Sequence, residues 1–298
     1  SSRYRRQTLQ KLTSPNPRVN MRIVSLLPSA TEIVGELGLI ENLVGRSCEC
    51  NWPLESAKAK VVSLSRVDSL ALSGPQIDAQ VRSAMHNGEQ LYAIEEDLLR
   101  ELAPDVIITQ DLCRVCAVSS ENVCDVGARV ISLDPHTINE VANSVITVAN
   151  ALGVTTKGEQ VAAQMLRRVE NVRRAVAGKP RPRVFIAEWL DPPFASGHWI
   201  PEMVEAAGGI EVLGKPGLPS TTTTWQAVRE AKPDIVVFAP CGFDEIRAAK
   251  EAAALAHEFD PSWQTACVNA DRYFARPAPS IADGVEQLAK IFHGLEIN

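Results

Sequence analysis

The residues best suited to chemistry are thiols. Cys113-Arg-Val-Cys116 is a CxxC, and Cys48-Glu-Cys50 is a second close pair among seven cysteines. A CxxC at a helix N-terminus lowers thiol pKa and supports redox work. Structural zinc would require four such ligands at compatible spacing, and no second CxxC or histidine pair supplies them. A thiol- or metal-dependent enzyme using Cys113 and Cys116, with Cys241 facing them, therefore stands as an alternative to the default of pocket-lining thiols. The five histidines have no catalytic spacing. His198 is a candidate ligand contact, although a lone His is more often simply a satisfied residue. No hydrolase elbow, phosphate loop or dinucleotide fingerprint occurs, since Gly208-Gly209 follows a helical pattern and reads as its terminator. The expectation is no catalytic residues, no bound metal and no enzyme.

A second group of residues could hold a ligand without reacting with it. Aromatics are 5% of the chain, yet Trp189, Phe194, Trp199, Tyr273 and Phe274 fall on or near expected strand ends. Trp52 sits in an Asn51-Trp52-Pro53 turn. That bias points to a broad, flat, largely apolar ligand held by stacking. The competing reading makes Trp199 and Phe274 ordinary core residues.

These side chains need elements to position them. Arg22 to Leu27 is a short apolar run with β-branched residues. Pro28-Ser29-Ala30-Thr31-Glu32 then opens an apolar pattern ending at Gly38, which gives strand, tight turn and helix. Ser29 with Glu32 three positions on predicts a capping box, and the exposed N–H groups there suit an anionic or carbonyl-bearing ligand. Two similar segments, Glu101 to Asp111 and Glu230 to Pro240, each read as helix end, Pro-Asp turn and buried parallel strand. Arg22 to Leu27 pairs with Arg183 to Ala187, and Ala128 to Asp134 with Asp271 to Ala275, as further strands.

The chain is thus expected to be α/β, with two similar Rossmann-like lobes joined by a long rigid helix and a ligand cleft between them. The expected division is a disordered basic leader over 1–20, a first lobe over 21–135, a linking helix over 136–178 and a second lobe over 179–298. In the linker, Val141, Val145, Val148 and Leu152, then Val161, Met165, Val169 and Val172, recur at helical spacing. One long helix, broken at most at Gly153, is expected, and its stiffness predicts small movements on capture. Ligands of open parallel sheets sit beyond the strands' carboxyl ends. From the first lobe this selects Pro28, Ser29, Arg66, Gln110, Asp111 and Cys113, beside Trp52 in its turn. From the second it selects Glu188, Trp189, Phe194, Phe243, Phe274 and Arg276, with His198 and Trp199 as further candidates near the cleft.

Composition narrows the partners. The chain has 298 residues, 45% hydrophobic and 22% charged, with a formal net charge of −6. Its cations are scattered among acids, which leaves no basic stripe for nucleic acid. No apolar run is long enough for a membrane-embedded helix. The leader is basic and acid-free and lacks a secretory apolar core. With an odd cysteine count, this gives an expected cytoplasmic or organellar location, periplasmic being the weaker alternative.

Arg22-Ile-Val-Ser-Leu-Leu-Pro-Ser-Ala-Thr-Glu-Ile, followed by Leu37-Gly-Leu and Leu43-Val-Gly, resembles the opening of substrate-binding proteins of cobalamin and ferric-siderophore ABC importers, the helical-backbone class. The likeness continues through Pro192-Pro193-Phe194, Ala207-Gly208-Gly209 and Arg276-Pro-Ala-Pro-Ser280, and spans nearly all of 21–295. It implies a corrinoid such as cobalamin as ligand, with no cofactor required. The alternatives are haem, a ferric chelate or a small planar organic molecule, bound by a carrier or sensor. In the cobalamin-binding branch an Asp-Tyr-Pro turn matches Asn51-Trp52-Pro53, so the resemblance makes Trp52 a corrin-packing residue and Asp271 an acid near the ligand. Asp111 replaces a cleft aromatic. The family's two permease-docking glutamates correspond to Asp97 and Gln226, which removes one charge. An extra segment from about Val67 to Tyr92 resembles a subgroup that lacks export signals.

Overall fold

A computed structural model describes residues 21–110 and 126–296, so the expected leader over 1–20 lies outside the described residues. The first sheet contains β1 (Ile23–Ser25), β2 (Leu43–Ser47), β3 (Lys60–Ser65), β4 (Tyr92–Ile94), β5 (Val106–Gln110) and β6 (Arg129–Leu133), in the order β4-β3-β2-β1-β5-β6. Neighbours are parallel except β4, which runs antiparallel to β3. The second sheet contains β7 (Arg183–Leu190), β8 (Pro193–Ala195), β9 (Ile210–Glu211), β10 (Thr221–Thr222), β11 (Ile235–Phe238) and β12 (Gln264–Cys267). Its order is β10-β8-β7-β11-β12, with β9 beside the start of β7.

The expected repeat is present, and one polar device explains it. Helix α3 (Glu96–Leu102) ends on left-handed Ala103 and α7 (Trp225–Ala231) on left-handed Lys232, each just before a Pro-Asp pair. The Asp105 carboxylate accepts from the Arg22 N–H at 2.8 Å, and Asp234 accepts from the Arg183 N–H at 2.7 Å. Each arginine side chain then donates to carbonyls at the end of the preceding helix, Arg22 to Leu102 and Arg183 to Lys232 and Ala231. One Arg–Asp pair per sheet thereby ties helix end, turn and central strands together. β1 and β11 are wholly buried, as strands covered on both faces are.

The linker corrects one expectation. It is two helices, α4 (Ile138–Ala151) and α5 (Thr155–Val176), separated at Gly153 with φ of 75°. They lie so close that a Cβ on Gly158 would overlap the Ala149 Cβ. Helix α5 also packs on α6 (Ile200–Ala206) and α10 (Ile281–His293), where Arg168 grips Asp283 and Glu286. One apolar core, including Ile33, Val145, Met165, Met203 and Leu288, therefore runs from the first sheet to the second.

Two further expectations fail locally. Asp271 to Ala275 is not a strand: β12 precedes it, and α9 (Ala270–Tyr273) is a helical turn whose preceding Asn269 side chain accepts from the Arg272 N–H. The capping box at Ser29 is absent too, because α1 (Pro28–Glu36) starts at Pro28, with Ser29 buried inside its first turn. Thr31 instead donates to the Ser25 hydroxyl at 2.8 Å, and Glu32 is released for another partner.

The extra segment folds as an excursion from the first sheet. It leaves β3, forms α2 (Gly74–His86), and returns through β4. The Gln76 side chain accepts from the Ser73 N–H at 2.9 Å and caps the start of α2.

Candidate functional site

The carboxyl ends of the two sheets meet along a polar seam. After β2, Asn51 donates to Asp271 Oδ2 at 2.9 Å, and Arg276 Nη2 reaches that same oxygen at 2.7 Å. Arg276 Nη2 also donates to Asn51 Oδ1, which closes a three-residue network. Arg276 is only 2% accessible, yet its Nε and Nη1 have no hydrogen-bond partner among the described residues. Beside it, Arg272 Nη1 lies 2.7 Å from Glu32 Oε2, and the Ser280 N–H donates to the other Glu32 oxygen at 2.9 Å. The Trp52 ring lies beneath the Arg272 guanidinium, 4.2 Å from its centroid, in cation–π geometry. Burial pushes the Glu32 carboxyl up, with Arg272 pulling it down. Glu49, close by, is also raised by burial, opposed by the Cys48 thiol.

A second, apolar part lies at the ends of β7 and β11. The rings of Trp189 and Phe243 are 5.2 Å apart, and the Arg247 guanidinium covers Phe243 at 3.7 Å. Between them and the start of α2 is a hollow of about 220 Å³, walled by Ser73, Gly74 and Pro75 against Trp189, Leu190 and Phe243. The buried Trp189 Nε1 has no acceptor among the described residues. Strand alternation sends Glu188 the other way. It accepts from the Gly197 N–H at 2.9 Å and from the Ser220 hydroxyl, and burial lifts its pKa to about 7. Glu211, which accepts from the backbone N–H groups of Ile186, Val212, Leu213 and Gly214, is likewise raised by burial to about 7.

Two sheets that face across a seam on a helical spine are an arrangement shared with known proteins. A family model described as periplasmic binding protein matches residues 23–267. The chain belongs to the periplasmic binding protein family. A vitamin B12-binding protein of Vibrio cholerae is 24% identical over 271 residues, covering 90% of this chain and 87% of that protein. The uncharacterized ABC transporter substrate-binding lipoprotein YvrC of Bacillus subtilis is 23% identical, covering 90% and 79%. Among solved structures, the periplasmic heme-binding protein RhuT from Roseiflexus sp. RS-1 superposes with a TM-score of 0.69 at 19% identity, covering 92% of this chain and 98% of that one. These likenesses carry the two-lobed fold. They also overturn the cytoplasmic or organellar expectation, because relatives described as periplasmic or as lipoproteins work outside the cytoplasm.

In this periplasmic binding protein the selected residues divide. Trp52, Asp271 and Arg276 come together at the seam, and Trp189 and Phe243 at the hollow. Phe194 pairs with Trp189 across β7 and β8. Pro28 and the buried Ser29 lie in the first turn of α1, and Gln110 ends β5. Arg66 is exposed, its N–H donating to the Leu91 carbonyl at the root of the excursion. His198 sits apart, its ring 5.3 Å from His136, and burial holds it below the usual imidazole range. Asp111, Cys113 and Cys116 lie outside the described residues. Trp199 and Phe274 are corrected: both are core residues, with Trp199 Nε1 donating to the Phe274 carbonyl at 2.9 Å.

Reading along the chain misses Glu32, Asn51 and Arg272 as seam residues, and Arg247 and Glu251 as neighbours of the hollow. Arg272 and Asn51 carry a signal, being adjacent to Asp271 and to Trp52. Among the described cysteines, burial pushes the thiols of Cys48, Cys50 and Cys267 up, away from the reactive thiolate. No cluster of three or more His, Cys, Asp or Glu among the described residues could hold a metal. No helix among them is long and apolar enough to cross a membrane.

Proposed function

We propose that this protein works outside the cytoplasm as the capture subunit of an ABC importer, taking a corrinoid between its two lobes without changing it chemically. The lobes divide near 135 and 179, with α4 and α5 as the spine. The observation that carries this reading is Arg276. A guanidinium with two buried donors left without acceptors costs free energy, and a ligand bringing oxygens to the seam removes that cost. The amide-bearing rim of a corrin supplies such oxygens, and Trp52 and Trp189 offer ring faces to its apolar plane. Haem, with its two carboxylates, meets the same need and is the second reading.

Asp97 and Gln226 support the importer role in reduced form. Each is the second residue of an equivalent helix, α3 and α7, and Asp97 is fully exposed. Gln226 bonds Glu230 within its own helix, so one docking charge remains where the resemblance expects two. Calorimetric titration of the purified chain with cyanocobalamin, and separately with haemin, tests the reading. Saturable one-to-one heat with cyanocobalamin is expected. Saturation with haemin alone selects the second reading, and heat from neither sinks both.

A further inference from the structure

We infer that the excursion over residues 66–91 is a latch that closes the Trp189–Phe243 hollow and selects what enters it by size; this rests on the ligand-capture reading above. The excursion belongs to the first sheet but is fastened to the second lobe. From α8 (Glu245–Ala254), Arg247 donates through Nη1 to the Ser69 carbonyl at 2.6 Å and through Nη2 to the Leu72 carbonyl at 2.8 Å. One turn further along α8, the Glu251 carboxylate faces the Gly74 N–H at 3.4 Å from each oxygen, at the positive end of α2. The fastening is thus a fork of two charge-assisted bonds and a weaker helix-end contact.

The same guanidinium that holds the strap also lies on the Phe243 ring, so the clasp and the aromatic wall share one side chain. A Cβ added to Gly74 would stand 3.7 Å from Trp189 Cζ2 and 3.3 Å from Glu251, which measures how closely the strap covers the indole. Closed this way, the hollow of about 220 Å³ lies below the roughly 300–1,000 Å³ of pockets for drug-sized ligands. A small group fits beneath the strap. A tetrapyrrole-sized ring reaches Trp189 only when Arg247 releases the two carbonyls.

The test compares wild type with the Arg247→Ala/Glu251→Ala double variant and with Arg247→Lys, which keeps the charge but loses the fork. The first readout is acrylamide quenching of Trp189, isolated by subtracting the same measurement on Trp189→Phe in each background. Trp189 quenching is expected to rise on the order of tenfold in the double variant, following the closed fraction of the strap, and to a lesser degree in Arg247→Lys. Equal quenching in wild type and double variant overturns the latch. The second readout is the association rate of cyanocobalamin, expected to rise with the quenching; an unchanged rate overturns the size filter. Should cyanocobalamin bind neither protein, the corrinoid reading falls while the quenching still decides the latch. Circular dichroism and urea midpoints of both variants identify any loss of fold.

Discussion

Glu32, 3% accessible in the first lobe, and Arg272, 18% accessible at its side chain in the second, meet at 2.7 Å. This ion pair joins helices that follow the central strand of one sheet and the edge strand of the other. It is therefore a clamp on the relative placement of the lobes.

Removing one partner of such a pair strands a buried charge. Glu32→Ala and Arg272→Met are each expected to cost about 3 kcal/mol, read as a lower urea midpoint. Arg272→Met has an added signature. Without the cation, burial of Glu32 is opposed only by Ser280, and its pKa rises further. Its folded form then holds a proton that the unfolded chain releases, so this variant loses stability as pH rises, more steeply than wild type. A wild-type pH slope in Arg272→Met contradicts the clamp.

Glu188 and Glu211 give the wild-type chain a pH dependence of its own. Both carboxyls are raised from 4.5 to about 7 in the folded protein. Between these values the folded chain binds protons that the unfolded chain has lost. Stability is therefore greatest at the acidic end and falls as pH climbs through 7. Glu188→Gln should flatten part of this slope at little cost, because an amide can accept from the Gly197 N–H and donate to the Ser220 hydroxyl. Glu211→Gln should instead destabilise, because its NH₂ would confront either the Ile186 N–H or all three N–H groups on the other oxygen. Thermal melts from pH 5 to 8 check both.

The α4–α5 contact gives a packing prediction. A methyl group at Gly158 overlaps Ala149, and a well-packed helix pair separates only at a cost of about 1–3 kcal/mol. Gly158→Ala should lower the urea midpoint accordingly, although alanine favours helix more than glycine does. Restoration by adding Ala149→Gly identifies the overlap as the cause.

Ligand affinity separates the two parts of the site. Trp52→Ala removes an exposed indole from beneath Arg272, and Trp189→Phe keeps a ring beside Phe243 but deletes the buried N–H. Each is expected to weaken cyanocobalamin binding by about tenfold, the value of one stacking contact or hydrogen bond. Trp199→Phe, in the core, should lower stability and leave affinity within about twofold, since affinity follows contacts with the ligand. Calorimetry on the three variants distinguishes these outcomes.

The repeated lobes are legible in the sequence because each carries its own local device: the Pro-Asp turn, the apolar strand and the arginine opposite the aspartate. The seam is only partly legible. Arg276 stands beyond an expected strand and is recovered, whereas Asp271 falls inside that strand, since Asp-Arg-Tyr-Phe-Ala reads as extended, and is recovered only through the family resemblance. Glu32 is hidden by a valid capping rule, Ser29-x-x-Glu32, that tertiary structure overrides by starting α1 at Pro28. Trp199 and Phe274 mislead because an aromatic near a strand end looks the same whether it faces a cleft or the core. The clasp at Arg247 leaves no trace, because its acceptors are main-chain carbonyls that no side-chain pattern announces.

Capture between the lobes, at the seam and the hollow together, is tested most directly by hydrogen–deuterium exchange with and without saturating cyanocobalamin. Protection is expected to rise in 49–53 of the first lobe and in 187–194 and 269–276 of the second, while the outer helices α3 and α7 stay unchanged. Protection confined to one lobe, or absent from both sides of the seam, would contradict it.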